Sequence, residues 1–380
     1  MEPFVVTAAV LLGVTATPYL AYTALYFALR PRGSPAEKGA AEPTVSIVLP
    51  TYNEAGIVER KLEDICAQDY PMAQMELVVI DASDDETVER IRAFFAERDH
   101  PSLTLIEEEE RRGLAVALNE AYDTAIGEVV VKTDCDSLLA ADAISEAVAN
   151  LADPHVGAVT GQNAEVLGGS AVEAGYRGIQ AHVQALESHL DSTLIFHGPC
   201  SAFDADAIVP IDVDSIADDT ELALKIRKQG RRVLFDPAIK YQEAAQSGFG
   251  KRRQQKDRRA MGLLRLLWRQ RAMLGGYGRY GRVVLPFNWW FMVVSPWLVL
   301  GWLVLASAAA VVTAGLAGLA VPAAFVGGIL LGSRDWLGPL QSGYALFDTQ
   351  VSLWLASLRL IRGEGDGTWD VDAELREAFE

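Results

Sequence analysis

The sequence predicts an α/β domain whose mainly parallel sheet carries helices on both faces, joined to transmembrane helices. Three observations point there. From Val45 onward, short β-branched runs alternate with helical stretches of about a dozen residues, the pattern of a parallel sheet. Two long stretches, Phe4 to Leu29 and Val283 to Ser333, contain no charged residue. The run Val129–Val130–Val131–Lys132–Thr133–Asp134–Cys135–Asp136 ends a strand-like segment on two aspartates one residue apart.

The elements follow in order. Phe4 to Leu29 is long enough for one span, and it lacks the basic start of a signal peptide, so an anchor over residues 1–30 is expected. Residues 31–43 are rich in Pro, Gly, Ala and Glu and read as a linker. Residues 44–250 form the expected α/β domain. Its strands are Val45–Leu49, Leu77–Ile80, Leu103–Ile106 and the run ending at Asp134; its helices are Ala55–Ala67, Asp85–Glu97 and Ala115–Ile126. Residues 251–282 are a basic membrane-interface segment, with eleven Lys or Arg against the one acid Asp257. Residues 283–333 suit two spans, with the turn at Gly315 and Gly318. Residues 334–380 read as an interfacial helix and an acidic tail. Asp348, Gln341 and Gln350 argue against a fourth span, which stays the alternative.

Charge orients this arrangement. Arg30, Arg32, Lys38, Arg279, Arg282 and Arg334 flank the apolar stretches and place residues 30–282 in the cytoplasm of a multi-pass membrane protein. The net charge is −18, which speaks against nucleic acid as a partner. Scarce lysine beside abundant acid and alanine is the composition of a salt-loving source. Cys66, Cys135 and Cys200 have no metal or redox spacing and are expected as free thiols.

The strand ends carry the polar residues: Pro50–Thr51–Tyr52–Asn53–Glu54, Asp81–Ala82–Ser83–Asp84–Asp85 and Asp134–Cys135–Asp136. Open α/β sheets bind ligands in the crevice at the carboxyl ends of their strands. Paired carboxylates there suit Mg2+ or Mn2+, which take oxygen ligands and bridge to substrate phosphates. Taken singly, Asn53 and Asp84 read better as turn or cap residues. No Gly-x-x-x-x-Gly-Lys is present, and no strand-like run leads into a Gly-x-Gly-x-x-Gly, so the P-loop and the dinucleotide fingerprint are excluded.

In this order the motifs resemble the inverting family-two glycosyltransferases of GT-A fold. The matching stretches are Val48–Glu54, Val78–Asp85, Arg112–Asn119, Gly127–Ser137, and Ala217–Leu222 followed by Lys225–Gly230. The resemblance implies a nucleotide-sugar donor contacted by Pro50, Tyr52, Glu54, Asp81 and Asp134. It implies a divalent metal, Mg2+ or Mn2+, on Asp134 and Asp136, and Asp219 as general base. The bare alternative for Asp218–Asp219 is a pair of acids at a helix N-terminus. Asp218, His197, Gln255, Arg258 and Arg259 are the candidate acceptor or diphosphate contacts. Two positions depart from the family: Leu114 stands where a basic residue is frequent, and Gln255–Lys256–Asp257–Arg258–Arg259 ends in Arg where membrane-bound members often have Trp.

The expected function is transfer of a sugar to a lipid-linked glycan or glycolipid at the cytoplasmic membrane face, with membrane lipids as further partners. A polysaccharide synthase is the alternative; the missing Trp and the small number of spans count against it. An inactive nucleotide-sugar-binding scaffold is the second. Retention of Asp81, Asp134, Asp136 and Asp219 counts against that one.

Overall fold

The computed structural model describes residues 2–98, 101–167, 171–244, 249–334 and 336–363. The expected acidic tail lies outside them.

The chain opens with helix α1 (Glu2–Leu29) and then enters an eight-stranded sheet. The strands are β1 (Val45–Thr51), β2 (Met75–Asp81), β3 (Ser102–Glu107), β4 (Val129–Lys132), β5 (Ser137–Leu139), β6 (Val156–Leu167), β7 (Ser201–Asp204) and β8 (Arg232–Ala244), in the order β3-β2-β1-β4-β7-β6-β8-β5. The β1, β2, β3 and β4 pairings are parallel, as expected. β7 runs antiparallel to β4 and β6, and β5 antiparallel to β8, so the sheet is mixed beyond β4.

Helices cover both faces. α2 (Val58–Cys66), α3 (Thr87–Phe95) and α5 (Ala143–Leu151) bury Ile65, Ile91 and Val148 against Ile47, Leu49, Leu77 and Val131. α4 (Leu114–Thr124) and α7 (Asp218–Lys228) bury Leu118 and Leu222 against Val48, Val78 and Val130 on the other face. Alternate residues of one strand therefore serve opposite cores, and each needs apolar side chains throughout. That explains the unbroken apolar runs. α2 and α3 start two to three residues later than expected, because the preceding residues build the crevice loops. α6 (Ala171–Leu190) crosses the β6–β8 end of the sheet.

The linker is not a free tether. Lys38 pairs with Asp236 at 2.6 Å and with Glu146 at 2.5 Å, and the Ser34 hydroxyl lies 2.5 Å from Asn150 Oδ1. It lies along the catalytic domain.

Two segments, Pro3–Leu29 and Tyr280–Gly332, are long and apolar enough to cross a membrane. The second is an unequal hairpin. One leg runs from Tyr280 through α9 (Leu285–Trp289) and α10 (Ser295–Ala314). It contains two π-helical segments, Tyr280–Val284 and Trp290–Val294. Each lies around the carbonyl four residues before a proline, Pro286 and Pro296. The proline ring displaces that carbonyl and the hydrogen bonding shifts outward. The chain turns at Gly315, whose φ of +59° favours glycine. The return leg, α11 (Ala320–Gly332), has 13 residues. At 1.5 Å per residue it covers roughly 20 Å, short of a hydrocarbon core of about 30 Å.

α8 (Phe249–Arg269) and α12 (Gln341–Ile361) pack together. Asp348 of α12 meets Arg253 at 2.5 Å and Lys256 at 3.0 Å. Arg269 pairs with Asp212 and Asp214, and Arg259 with Glu243. Cations expected to face lipid instead tie α8 to α12, through Arg253 and Lys256, and to the domain, through Arg259 and Arg269. Among the residues α12 buries are Gln341, Asp348, Gln350 and Ser352, so its polar side faces protein.

Candidate active site

The carboxyl ends of β2, β1 and β4, adjacent in the sheet, deliver three polar loops to one crevice. Asn53 adopts φ +56°, a left-handed conformation that Asn tolerates better than most residues. Its N–H donates to Ser83 Oγ at 2.7 Å and its side-chain oxygen accepts from Asp84 N at 3.0 Å. Asn53 thus clasps the first loop to the second, the turn role favoured for it. Asp81 is 2% exposed and accepts from Thr51 Oγ1 at 2.5 Å and from Ser83 N and Oγ at 2.8 and 2.7 Å. Its carboxylate fixes the loops, while its neighbours Ile80 and Ala82 line the crevice.

One cavity of about 1580 Å³ gathers the other expected residues, with Pro50, Tyr52, Glu54, Asp134, Asp136 and His197 in its lining. Asp218 and Asp219 enter from α7, and Gln255, Arg258 and Arg259 from α8. Arg111 also lines it, its guanidinium 4.1 Å from the centre of the Tyr52 ring. A cation therefore reaches this pocket although Leu114 is apolar.

At the centre stands a residue that sequence reasoning missed. Lys132 ends β4, is 2% exposed, and reaches Asp134 Oδ1 at 2.7 Å and Asp219 Oδ2 at 3.3 Å. Burial works against its charge, yet Asp134, Asp219 and Asp218 hold it well above the ordinary lysine value. Lys132 links the β4 carboxylates to the α7 carboxylates. The signal was available: a lysine closing an otherwise apolar buried strand needs an ionic partner.

The aspartates carry matching perturbations. Burial raises Asp219 to about 7; Lys132 opposes this, and Asp218 and Asp134 add to it. Burial also raises Asp136 to about 7, helped by Asp134, Glu243 and Glu54. Asp218 Oδ2 and Asp219 Oδ1 are buried with no hydrogen-bond partner, and no side chain caps α7. Buried, partnerless carboxylate oxygens suit a group that receives a proton better than one that only closes a helix.

Gly198 closes the centre from above. A Cβ there would lie 2.6 Å from Asp134 Oδ2, 2.9 Å from Lys132 Nζ and 3.1 Å from Asp219 Oδ2. Its neighbour His197 is driven down to about 3 by burial and by Arg177, so it is neutral at physiological pH. Gln184 donates to Ile195 O, which turns its side-chain oxygen toward His197 Nε2 at 3.0 Å. His197 is therefore a neutral, oriented hydrogen-bonding group. Glu243 takes Arg177 at 2.8 Å and Arg259 at 3.0 Å; these guanidinia outweigh burial and hold it at about 2.

Among the described residues no three metal-binding side chains form a cage. Asp134 and Asp136 supply carboxylate oxygens only. That donor set fits Mg2+ or Mn2+, which use few protein carboxylates and complete their shell with water and phosphate.

Comparison with known proteins agrees with this geometry. Residues 46–211 match the family model for glycosyl transferase family 2, and residues 129–331 that for glycosyl transferase family group 2. The chain is 29% identical over 213 residues to an N-acetylglucosaminyltransferase of Rhizobium meliloti (strain 1021), covering 51% of this chain and 50% of that protein. It is 25% identical over 201 residues to a poly-β-1,6-N-acetyl-D-glucosamine synthase of Staphylococcus aureus (strain MSSA476), covering 51% and 48%. It thus spans about half the length of these curated relatives. A mannosyltransferase from Pyrobaculum calidifontis, solved in complex with GDP-Man and Mn2+, superposes with a TM-score of 0.76. That match has 30% identity and covers 93% of this chain and 98% of the other. The ordered motifs, the crevice they build and these matches agree: the chain belongs to glycosyl transferase family 2, a family of inverting, nucleotide-sugar-dependent transferases with the GT-A fold.

Proposed function

We propose that the chain is a membrane-anchored transferase moving one sugar from a nucleotide donor to a lipid-linked glycan or glycolipid at the cytoplasmic membrane face. The observation that carries this is the Asp134–Lys132–Asp219 bridge inside a cavity that also reaches the apolar segments.

The roles follow from position. Pro50, Tyr52 and Glu54 hold the nucleotide, with Asp81 keeping their loops in register. Asp134 and Asp136 hold the divalent ion, which when bound neutralises the diphosphate and the charge of the leaving group. Arg258 lies near Asp218 and Asp134 and grips the diphosphate. Asp219 takes the proton of the acceptor hydroxyl as its oxygen attacks the anomeric carbon from the face opposite the leaving group. Lys132 keeps Asp219 aimed at that hydroxyl. The basic flanks place the catalytic domain in the cytoplasm, α12 lies at the interface against α8, and the anchors hold the site at the bilayer surface.

The test is release of nucleoside diphosphate by the purified chain in detergent, across a panel of nucleotide sugars with Mg2+ or Mn2+. One donor class is expected to turn over. Asp136→Ala is expected to abolish turnover and to weaken donor binding only when metal is present. Full activity in excess chelator would overturn the metal-dependent reading.

A further inference from the structure

The same cavity has a second half that donor binding leaves unexplained. Beyond His197 its wall changes character. Asn163 of β6 stands opposite Tyr241 of β8, whose ring lies 6.1 Å from that of His197. Asn163, Gln162 and Gln180 all line the cavity. Both amide atoms of Asn163 are buried with no hydrogen-bond partner. Leaving such a group unsatisfied is costly, so a ligand is expected to complete it.

The far end is aromatic. Tyr22 of α1 stacks on Phe287, and Tyr19 meets Phe291 edge-on at 6.0 Å. These four rings also line the cavity, and they sit on the two segments long enough to cross a membrane. The Tyr22 hydroxyl is buried without a partner. The cavity wall therefore joins an ionic group at Asp219, the amides of Gln162, Asn163 and Gln180, and aromatic rings on the membrane segments.

We infer that this half is the acceptor subsite and that it takes a glycolipid by its neutral terminal sugar, with the lipid lying along the aromatic end. The inference rests on the sugar-transfer reading above. Amides recognise hydroxyls through paired donors and acceptors. The guanidinia bordering this half, Arg177 and Arg259, are each held by Glu243, so an acceptor phosphate would have to compete with a carboxylate. A hydroxyl nucleophile also needs a base, whereas a phosphate does not. In the step, the acceptor oxygen bonds to the donor's anomeric carbon and its proton passes to Asp219. The bond from that carbon to the phosphate oxygen breaks, and the nucleoside diphosphate leaves with the electron pair.

The test uses the full chain in a sugar-free detergent with the donor identified by diphosphate release. Acceptors are a set of dodecyl glycosides, the matching free sugars, and farnesyl phosphate; labelled sugar in the extracted product is counted. At least one dodecyl glycoside is expected to be used, with KM about tenfold or more below that of its free sugar, and farnesyl phosphate not at all. Asn163→Leu, and separately Gln180→Leu in case the first fails to fold, are expected to raise the glycoside KM about tenfold. The donor KM should move less than twofold. Transfer to farnesyl phosphate would overturn the inference. So would equal use of free and lipid-linked sugar, or donor turnover with no glycoside accepted. No donor turnover at all would instead sink the sugar-transfer reading itself.

Discussion

Asp219 and Gly198 show how single residues set this site. Asp219 meets Lys132 because α7 starts beside β4, and one of its carboxylate oxygens stays without a partner. Gly198 is there because the three charged groups fill the space a side chain would need. Gly198→Ala forces Asp134 or the His197–Pro199 loop to move. Overpacking a tight site costs about 1–3 kcal/mol, or roughly five- to 150-fold. That loss is expected in metal-dependent donor affinity, measured by calorimetry, with the melting temperature less affected. Unchanged affinity would show that the centre has slack. Lys132 is the residue that reading the sequence passed over: it looked like the polar end of a strand, and only the fold shows α7 carrying Asp218 and Asp219 to it. The aspartates were legible only through the order of the motifs around them, because alone an Asp-x-Asp also ends strands in ordinary turns.

At the scale of elements, β1, β2 and β4 were readable because each is buried on both faces and so unbroken in its apolar run. The other half of the sheet was not. β5 has three residues, and β6 pairs with β8 through register shifts at Val156/Ala158, Thr160/Gln162 and Asn163/Glu165. Those shifts erase the alternation a strand is recognised by. Gly161 marks one of them, since a Cβ there would meet Ile239 O at 2.4 Å. α12 was recognised as amphipathic, but its partner was not. Asp348 holds two α8 cations in a setting between exposed and fully buried. Asp348→Ala is expected to lower stability by roughly 2 kcal/mol, between the values for surface and buried pairs. Hydrogen exchange should show α12 loosening before the sheet. Protection unchanged along α12 would mean that its apolar contacts alone hold it.

For the whole molecule, the arrangement is a soluble-type domain seated against apolar helices, with its active-site cavity reaching their aromatic residues. Its surface is acidic overall, while arginines collect where the chain meets the apolar segments. This asymmetry predicts which side the domain occupies. A cysteine at the exposed linker residue Ala41, in a chain whose half-buried Cys66 is replaced by Ser, should resist impermeant thiol reagents on intact cells and react after lysis. Labelling before lysis would refute the cytoplasmic placement. Ser34 is unsuitable for this purpose, because its hydroxyl already bonds to Asn150.

The central claim is that Asp219 takes the acceptor's proton, and the pH profile of Asp219→Asn tests it most directly. Asn closes a helix N-terminus about as well as Asp, so an Asp219 that only closes the helix predicts a variant with normal folding and near-normal transfer. A base predicts transfer lowered about 10²–10⁴-fold, the usual contribution of general-base catalysis, with donor binding retained. Only the ionised carboxylate accepts a proton. With Asp219 raised to about 7 by burial, wild-type kcat/KM should fall about tenfold per unit as the pH drops below about 7. Measured at saturating metal, which keeps Asp136 ionised, the Asn variant should lose that acid limb. Transfer within about threefold of wild type, with the acid limb intact, would contradict the assignment and move the role to Asp218 or Glu221.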